Sequence, residues 1–431
     1  MTESLSIIVF LIVLFFLLGS SLWIGASLLG TAVLGMALFT TRPIGDSMAI
    51  TIWGSQSSWT LTALPLFVWM GEILFRTRLS ETLFRGLAPF LGNLPGGLLH
   101  VNIGASAVFA AISGSSAATV ATVGKMSIPE LRKRSYPEKM IIGTLSGAGT
   151  LGLLIPPSIS MIIYGVTVNE SISDLFMAAM IPGIVLALCF MLYVVIWSLL
   201  HKETLDRVGA VSWGDRLRAL KDLLPVMLLI TAVIGSIYSG VATATEAAAL
   251  GVVGSILLSI GQRSFTLSGF GDSILGATRT SAMIMFILMG SGFLSLAMGF
   301  TGIPKGLAEG IVSWDLSPLA LITVLTLFYM VLGMFLDGIS SIVLTMAVIE
   351  PMVRTAGFDM IWFGVYLMVV IEMAQITPPV GFNLFVLQGM TGKDLGYIAR
   401  ASAPMFFVMC AFIAVLVLFP EMATWLPGIL H

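Results

Sequence analysis

The residues able to do chemistry fall into four short stretches of otherwise apolar sequence. Two are small and polar, SGSSAAT from Ser113 and DGISS from Asp337. The other two, GLLIPPSIS from Gly152 and QITPPVGFN from Gln375, set adjacent prolines inside long apolar runs. Proline lacks an N–H, its ring collides with the preceding turn, and the residue before it is pushed off helical geometry, so no unbroken helix passes either pair. At membrane depth the freed carbonyls are costly unless protein, water or an ion satisfies them, so broken spans line cavities. Two such breaks at matching places point to a transport site.

The chemistry on offer is hard-oxygen ligation. Ser113, Ser115, Ser116 and Thr119 supply hydroxyls, and the break through Gly152, Ile155 and Pro157 supplies carbonyls. Asp337, Gly338, Ser340 and Ser341 beside Ala374, Thr377 and Pro379 repeat the arrangement. Carbonyls and hydroxyls can replace the water around Na+, and helix C-terminal dipoles favour a cation, so two equivalent Na+ sites are expected. Any one serine is better explained by close helix packing, which small residues permit in membranes; the paired arrangement favours ligation. Helix N-termini at Ser115–Ser116 and Ser340–Ser341 attract anions, so a carboxylate substrate is expected to bridge them, joined by Asn383. Ionisable residues inside a membrane are usually functional, which makes Asp337 a candidate cation ligand or proton site. Glu372, Glu72 and Glu246 also fall in or near spans with no arginine partner evident, and face either the site or a crevice.

Such residues need elements to hold them in a bilayer. The chain has 431 residues, 58% hydrophobic and 10% charged, with mean hydropathy +1.05. A soluble domain carries about 25% charge, so the expected class is an all-α polytopic membrane protein. The runs are continuous rather than alternating, which argues against a β-barrel. No P-loop, nucleophile elbow or zinc motif occurs, which excludes ATP hydrolysis and an enzyme site of those kinds, and nothing suggests nucleic acid. Two cysteines, Cys189 and Cys410, imply no disulfide framework, and three scattered histidines imply no metal cage. The first apolar run lacks a basic leader and continues into a second, so it reads as a span rather than a signal peptide.

Ten runs are long enough to cross, or are shorter runs paired with a neighbour. They are Leu5–Gly19, Leu22–Phe39, Ser58–Phe75, Met140–Val168, Leu175–Leu200, Leu223–Ser239, Ala242–Ile260, Thr280–Phe300, Ile361–Met390 and Ala403–Phe419. Gly96–Gly124 and Pro318–Ile349 are interrupted by the polar tips and read either as ordinary spans or as re-entrant hairpins. Spacing favours hairpins, because Gly114 precedes Pro156 by nearly the same stretch of chain as Gly338 precedes Pro378. The remaining spans echo at a steady offset close to half the chain, giving two repeats of five spans and one hairpin, 1–200 and 223–431, joined by a linker at 201–222. Five is odd, so the second repeat is expected upside down. Cations Lys125, Arg132, Lys133, Arg134 and Lys139 place the loop after the first hairpin in the cytoplasm; the matching loop has Arg354 against Glu350 and Asp359, which places it outside. Lys202, Arg207, Arg216, Arg218 and Lys221 put the linker inside, and both termini fall outside. Arg76–Arg85 and Arg263–Arg279 read as interfacial arm helices or plain loops. Trp53, Trp59, Trp69, Trp197, Trp213, Trp314, Trp362 and Trp425 read as interfacial anchors.

At SGSSAATVATVG, GLLIPPSISMIIYG, FLDGISS and QITPPVGFN the sequence resembles, over essentially its whole length, the DctM-type large permease of tripartite ATP-independent periplasmic transporters. The resemblance implies Na+-driven symport of an organic acid, such as a C4-dicarboxylate or sialic acid, across the bacterial inner membrane. It also implies a periplasmic substrate-binding protein, a small four-span membrane subunit, and an elevator mechanism in which a domain holding both hairpins slides on a scaffold. Carried over by residue, one Na+ site falls on Ser113, Ser116, Gly152, Ile155 and Pro157, and the other on Gly338, Ala374, Thr377 and Pro379. Ala374 stands where glycine would match the first half, leaving its carbonyl alone. The chain opens at the first span, so the small subunit is expected as a separate chain. The alternatives are a stand-alone Na+/carboxylate symporter needing no binding protein, and an inert membrane anchor, which would gain nothing from polar breaks.

Overall fold

Every regular secondary-structure element among the described residues is helical. The structure, a computed structural model, describes residues 2–430 apart from Ser21, Arg78, 202–211, 302–316 and Val380. Polar residues mark where the apolar helices begin. Ser158, Ser171, Ser317, Asp359 and Asp394 each accept a hydrogen bond from a first-turn backbone N–H of the helix they precede. Thr243 and Glu246 close a reciprocal capping box. These caps supply acceptors to donors that have no partner within the helix.

Seven helices among the described residues are long and apolar enough to cross a membrane, and the bent pair Ile44–Gln56 and Trp59–Phe75, which turns by 58°, makes an eighth. Ile24–Phe39, Leu98–Ser113, Pro318–Gly333 and Met360–Gln375 are shorter apolar helices. The chain is a multi-pass membrane protein.

Both interrupted runs turn back. Leu98–Ser113 packs on Ser116–Lys133, and Pro318–Gly333 on Gly338–Thr355. Both diproline runs break, the first between Leu154 and Ile159 and the second between Gln375 and Phe382, with cis peptides at Pro156–Pro157 and Pro378–Pro379.

Several boundaries differ from the sequence reading. The arm expected at Arg263–Arg279 and the span after it form one 35-residue helix, Leu267–Thr301, because its glycines lower helix propensity without removing a backbone donor. The arm near Arg76–Arg85 is separate, as Leu79–Leu91. The expected linker is helical from Trp213, where Ser212 caps a helix running to Tyr238; residues 202–211 lie outside the described residues. Ile44–Gln56 and the closing helix Glu421–Leu430 have no counterpart in the sequence reading. Trp362 is no anchor: it is 3% exposed, stacked against Phe358 and Tyr366, with Nε1 donating to the Leu416 carbonyl at 3.2 Å. Trp69 likewise turns inward, donating to Ser273 Oγ at 3.1 Å, while Trp53, Trp59, Trp213 and Trp425 are exposed. Trp314 lies outside the described residues.

The helices sort into two packed groups. Helices between residues 2 and 75 pack chiefly with those between 213 and 301, the tightest pairing being Ile24–Phe39 on Leu267–Thr301, and Leu79–Leu91 packs both on Trp213–Tyr238 and on the first hairpin. The hairpins and broken spans pack with Ile172–Leu200 and Leu395–Leu418. The groups meet where Leu79–Leu91 lies on both arms of the first hairpin, where Ala63–Phe75 lies on Leu98–Ser113 and Ile159–Val168, and where Leu267–Thr301 lies on Gly338–Thr355.

Candidate functional site

The first tip is built by a reversal that few side chains tolerate. Helix Leu98–Ser113 ends on Gly114 at φ 58°, ψ 17°, the left-handed region that favours glycine. Ser115 then turns extended and caps Ser116–Lys133 by accepting from the Ala118 N–H. Thr119 donates its hydroxyl hydrogen to the Ser115 carbonyl at 2.8 Å. Ser113 Oγ lies 2.9 Å from Thr119 Oγ1 and 3.2 Å from the same carbonyl. The tip rests on the first break so closely that a β-carbon on Gly152 would sit 2.6 Å from the Ser115 carbonyl carbon and the Ser116 nitrogen. On the far side of the break, the Pro157 carbonyl lies 3.1 Å from where Gly114 would carry a β-carbon. Ser113, Ser116, Gly152 and Pro157 therefore come together, with Ile155 extended at φ −78°, ψ 122° between the helical segments.

At the second tip Asp337 is first a helix cap. Its Oδ2 accepts from the Ile339 N–H at 3.1 Å, and its Oδ1 accepts from the Ser340 hydroxyl. Gly338 abuts Leu153, Ile371 and Gln375, so it reaches both breaks. Gly333, ending the hairpin's first arm, presses on Ala374. Thr377 donates its hydroxyl hydrogen to the Met373 carbonyl at 2.8 Å, and its N–H donates to the Ala374 carbonyl at 3.0 Å. The substrate candidates divide. Ser115 and Ser340 are engaged in capping, whereas Ser341 Oγ and both amide atoms of Asn383 are buried without a hydrogen-bond partner.

The sequence missed how the halves interlock. Ser116 donates across to Gln375 Oε1 at 3.0 Å, a partner 259 residues away. Arg132 reaches the Thr391 carbonyl at 3.5 Å, and Arg354 reaches the Val168 carbonyl at 3.0 Å, so each hairpin's second arm ends on the other half's broken helix. Gln375, a polar residue closing an apolar helix just before a diproline, was the available signal. The pairing of Gly114 with Gly338 is also corrected: the capping residues Ser115 and Asp337 correspond, each the same distance along the chain before its first proline, Pro156 or Pro378. Glu72 pairs with Arg76 at 2.5 Å and Glu246 belongs to the Thr243 capping box, so neither faces the tips. Glu372, on the turn just before Gln375, is 1% exposed.

A cleft of about 860 Å³ runs between the two helix groups, lined by hydroxyls that include Ser55, Ser58, Thr167, Ser171, Ser291 and Ser295. Its one acidic lining residue, Glu170, is paired with Arg354 at 2.9 Å.

Residues 11–422 match the family described as tripartite ATP-independent periplasmic transporter, DctM component. Among curated proteins, the chain is 32% identical to the C4-dicarboxylate TRAP transporter large permease protein DctM of Pseudomonas aeruginosa, over 89% of each. It is 28% identical to the sialic acid TRAP transporter large permease protein SiaM of Vibrio cholerae, over 95% of this chain and 96% of that one. These relatives are transporter permeases, not enzymes. Among solved structures, the YdaH transporter of Alcanivorax borkumensis shares the fold, with a TM-score of 0.63 at 13% identity, covering 94% of this chain and 97% of that one.

Proposed function

Because the chain belongs to the DctM component family of tripartite ATP-independent periplasmic transporters, we propose that it is the large permease subunit of a Na+-coupled symporter importing an organic acid across the bacterial inner membrane. The cargo class is a carboxylate of the C4-dicarboxylate or sialic acid kind. A periplasmic binding protein delivers it, and a small membrane subunit braces the permease. The observation that carries this reading is the meeting of two polar tips and two diproline breaks at one centre.

The chemistry of that centre fits a hard cation. A hydroxyl whose hydrogen is already committed turns lone pairs outward. Ser116 donates to Gln375, Thr119 to Ser115 and Thr377 to Met373, so all three are set as acceptors. Carbonyls at Gly152, Ile155 and Pro157 complete one Na+ site with Ser113 and Ser116; Gly338, Ala374, Thr377 and Pro379 form the other, with Asp337 beside it. Ser341 and Asn383, with Ser115 and Ser340 at the helix starts, receive the carboxylate between them. Constant spacing supports the repeat, since Ser115 and Asp337, Arg132 and Arg354, and Pro156 and Pro378 are all separated by one and the same offset, and the odd number of spans with the unequal loop charges supports its inversion. The two helix groups then act as scaffold and moving domain of an elevator.

Proteoliposomes holding the permease, its small subunit and the binding protein test the proposal. Uptake should require both the binding protein and an inward Na+ gradient. Uptake that proceeds equally in choline would sink the coupling, and uptake without binding protein would make the chain a stand-alone symporter.

A further inference from the structure

Glu372 is the polar group the site leaves unexplained. It lies in the helix Met360–Gln375, which is buried along its length apart from Ile361, and it is itself 1% exposed. Both carboxylate oxygens lack a hydrogen-bond partner. Ser116 and the Leu153 backbone face it, but Ser116 commits its hydrogen to Gln375 instead. The group therefore belongs by sequence to the second half and by position to the first half's tip and break. Its counterpart in the first half, at the offset that relates Ser115 to Asp337, is Thr150, a hydroxyl already satisfied by the Gly147 carbonyl at 2.5 Å. Likewise the counterpart of Asp337 is a serine. Both acids of the centre thus come from the second half, and the first half offers only neutral oxygens.

A carboxylate shut away from water, with neither oxygen in a hydrogen bond, is expensive, and buried charges persist where they are paired or coordinate a cation. Resting on the reading of the tips as Na+ sites, we propose that Glu372 is the charged ligand of the first-half site, lent across the chain to complete Ser113, Ser116, Gly152, Ile155 and Pro157. Each site then holds one acid, Glu372 at the first tip and Asp337 at the second. Occupation of the first site draws the second broken span toward the first tip, so one ion ties the halves together.

Binding of radioactive sodium to the purified permease with its small subunit tests this without transport. Glu372→Gln, checked for a monodisperse elution profile, should raise half-saturation of one class of sites about tenfold or more, as loss of a metal partner commonly does, and leave the other class unchanged. Combined with Ser116→Ala it should lose little further affinity, since two ligands of one ion are not additive. Wild-type protein gives a second measurement should the variant fail to fold. Dicyclohexylcarbodiimide should modify Glu372 in choline chloride, read by peptide mass spectrometry, and Na+ should suppress the modification. Full Na+ affinity in Glu372→Gln, equal modification in both salts, or no modification in either overturns this assignment while leaving the proposed function standing. Wild-type protein that binds no Na+ at all sinks both.

Discussion

A hydroxyl has one hydrogen, and where it points decides whether the oxygen can hold a cation. At Ser116 and Thr377 the hydrogen is spent on Gln375 and on the Met373 carbonyl. Ser116→Ala or Thr377→Ala should each raise the Na+ concentration for half-maximal uptake by about tenfold without lowering the amount of protein in the membrane; unchanged Na+ dependence in both would refute the sites. Gly152→Ala is expected to do more, because its new methyl would meet backbone 2.6 Å away at the tip rather than a movable side chain. It should abolish uptake while the protein still inserts. Asp337→Asn keeps an acceptor for the Ile339 N–H but loses the charge, so folding should survive and coupling should weaken; full coupled uptake would reduce Asp337 to its capping role. The serines and prolines were readable because their chemistry is local, in a hydroxyl or a missing N–H. Gln375 was not, and Glu372 was readable only as an acid within a span, because what the two side chains meet is set by helices far away along the chain.

Among elements, the arginines closing the two hairpins do corresponding work. Arg354 donates to the Val168 carbonyl at the end of the helix Ile159–Val168 and pairs with Glu170 and Glu350. Arg132 pairs with Glu138 and reaches the helix Phe382–Thr391. A cation at a helix C-terminus contributes roughly 0.3–1 kcal/mol when exposed, and screened ion pairs add similarly little. Arg354→Gln and Arg132→Gln should therefore each lower the melting temperature in detergent by a few degrees, and together by about the sum, since they sit at different helix ends. A strongly greater than additive loss would show that the two caps act as one device. Diproline breaks and helix caps could be read from sequence because the backbone obeys them wherever they occur. The continuous helix Leu267–Thr301 could not, because its amphipathic start and its glycines suit a loop as well as a helix until the neighbouring Ile24–Phe39 packs on it.

For the whole molecule, the proposed inversion places the ends of the two hairpins on opposite faces of the membrane. Ser135 and Thr355 are both exposed at those ends. With Cys189 and Cys410 replaced by alanine, single cysteines at Ser135→Cys and Thr355→Cys should react with an impermeant maleimide from opposite sides of right-side-out vesicles. Reaction of both from one side would end the inverted arrangement. The membrane class was legible in hydropathy, and the polar tips and diproline breaks in the local sequence. Their interlocking was not, because hydropathy reports depth in the bilayer and says nothing of which helix is a neighbour.

That interlocking also sets a timetable for the protein's birth. Ser116 emerges from the ribosome 259 residues ahead of Gln375. At a synthesis rate of about 5–20 residues per second the delay is roughly 10–50 s. Through that interval the first hairpin must wait in the membrane with Ser116 unanswered, and a nascent chain stopped short of the second diproline should be a ready target for the proteases that clear unfinished membrane proteins.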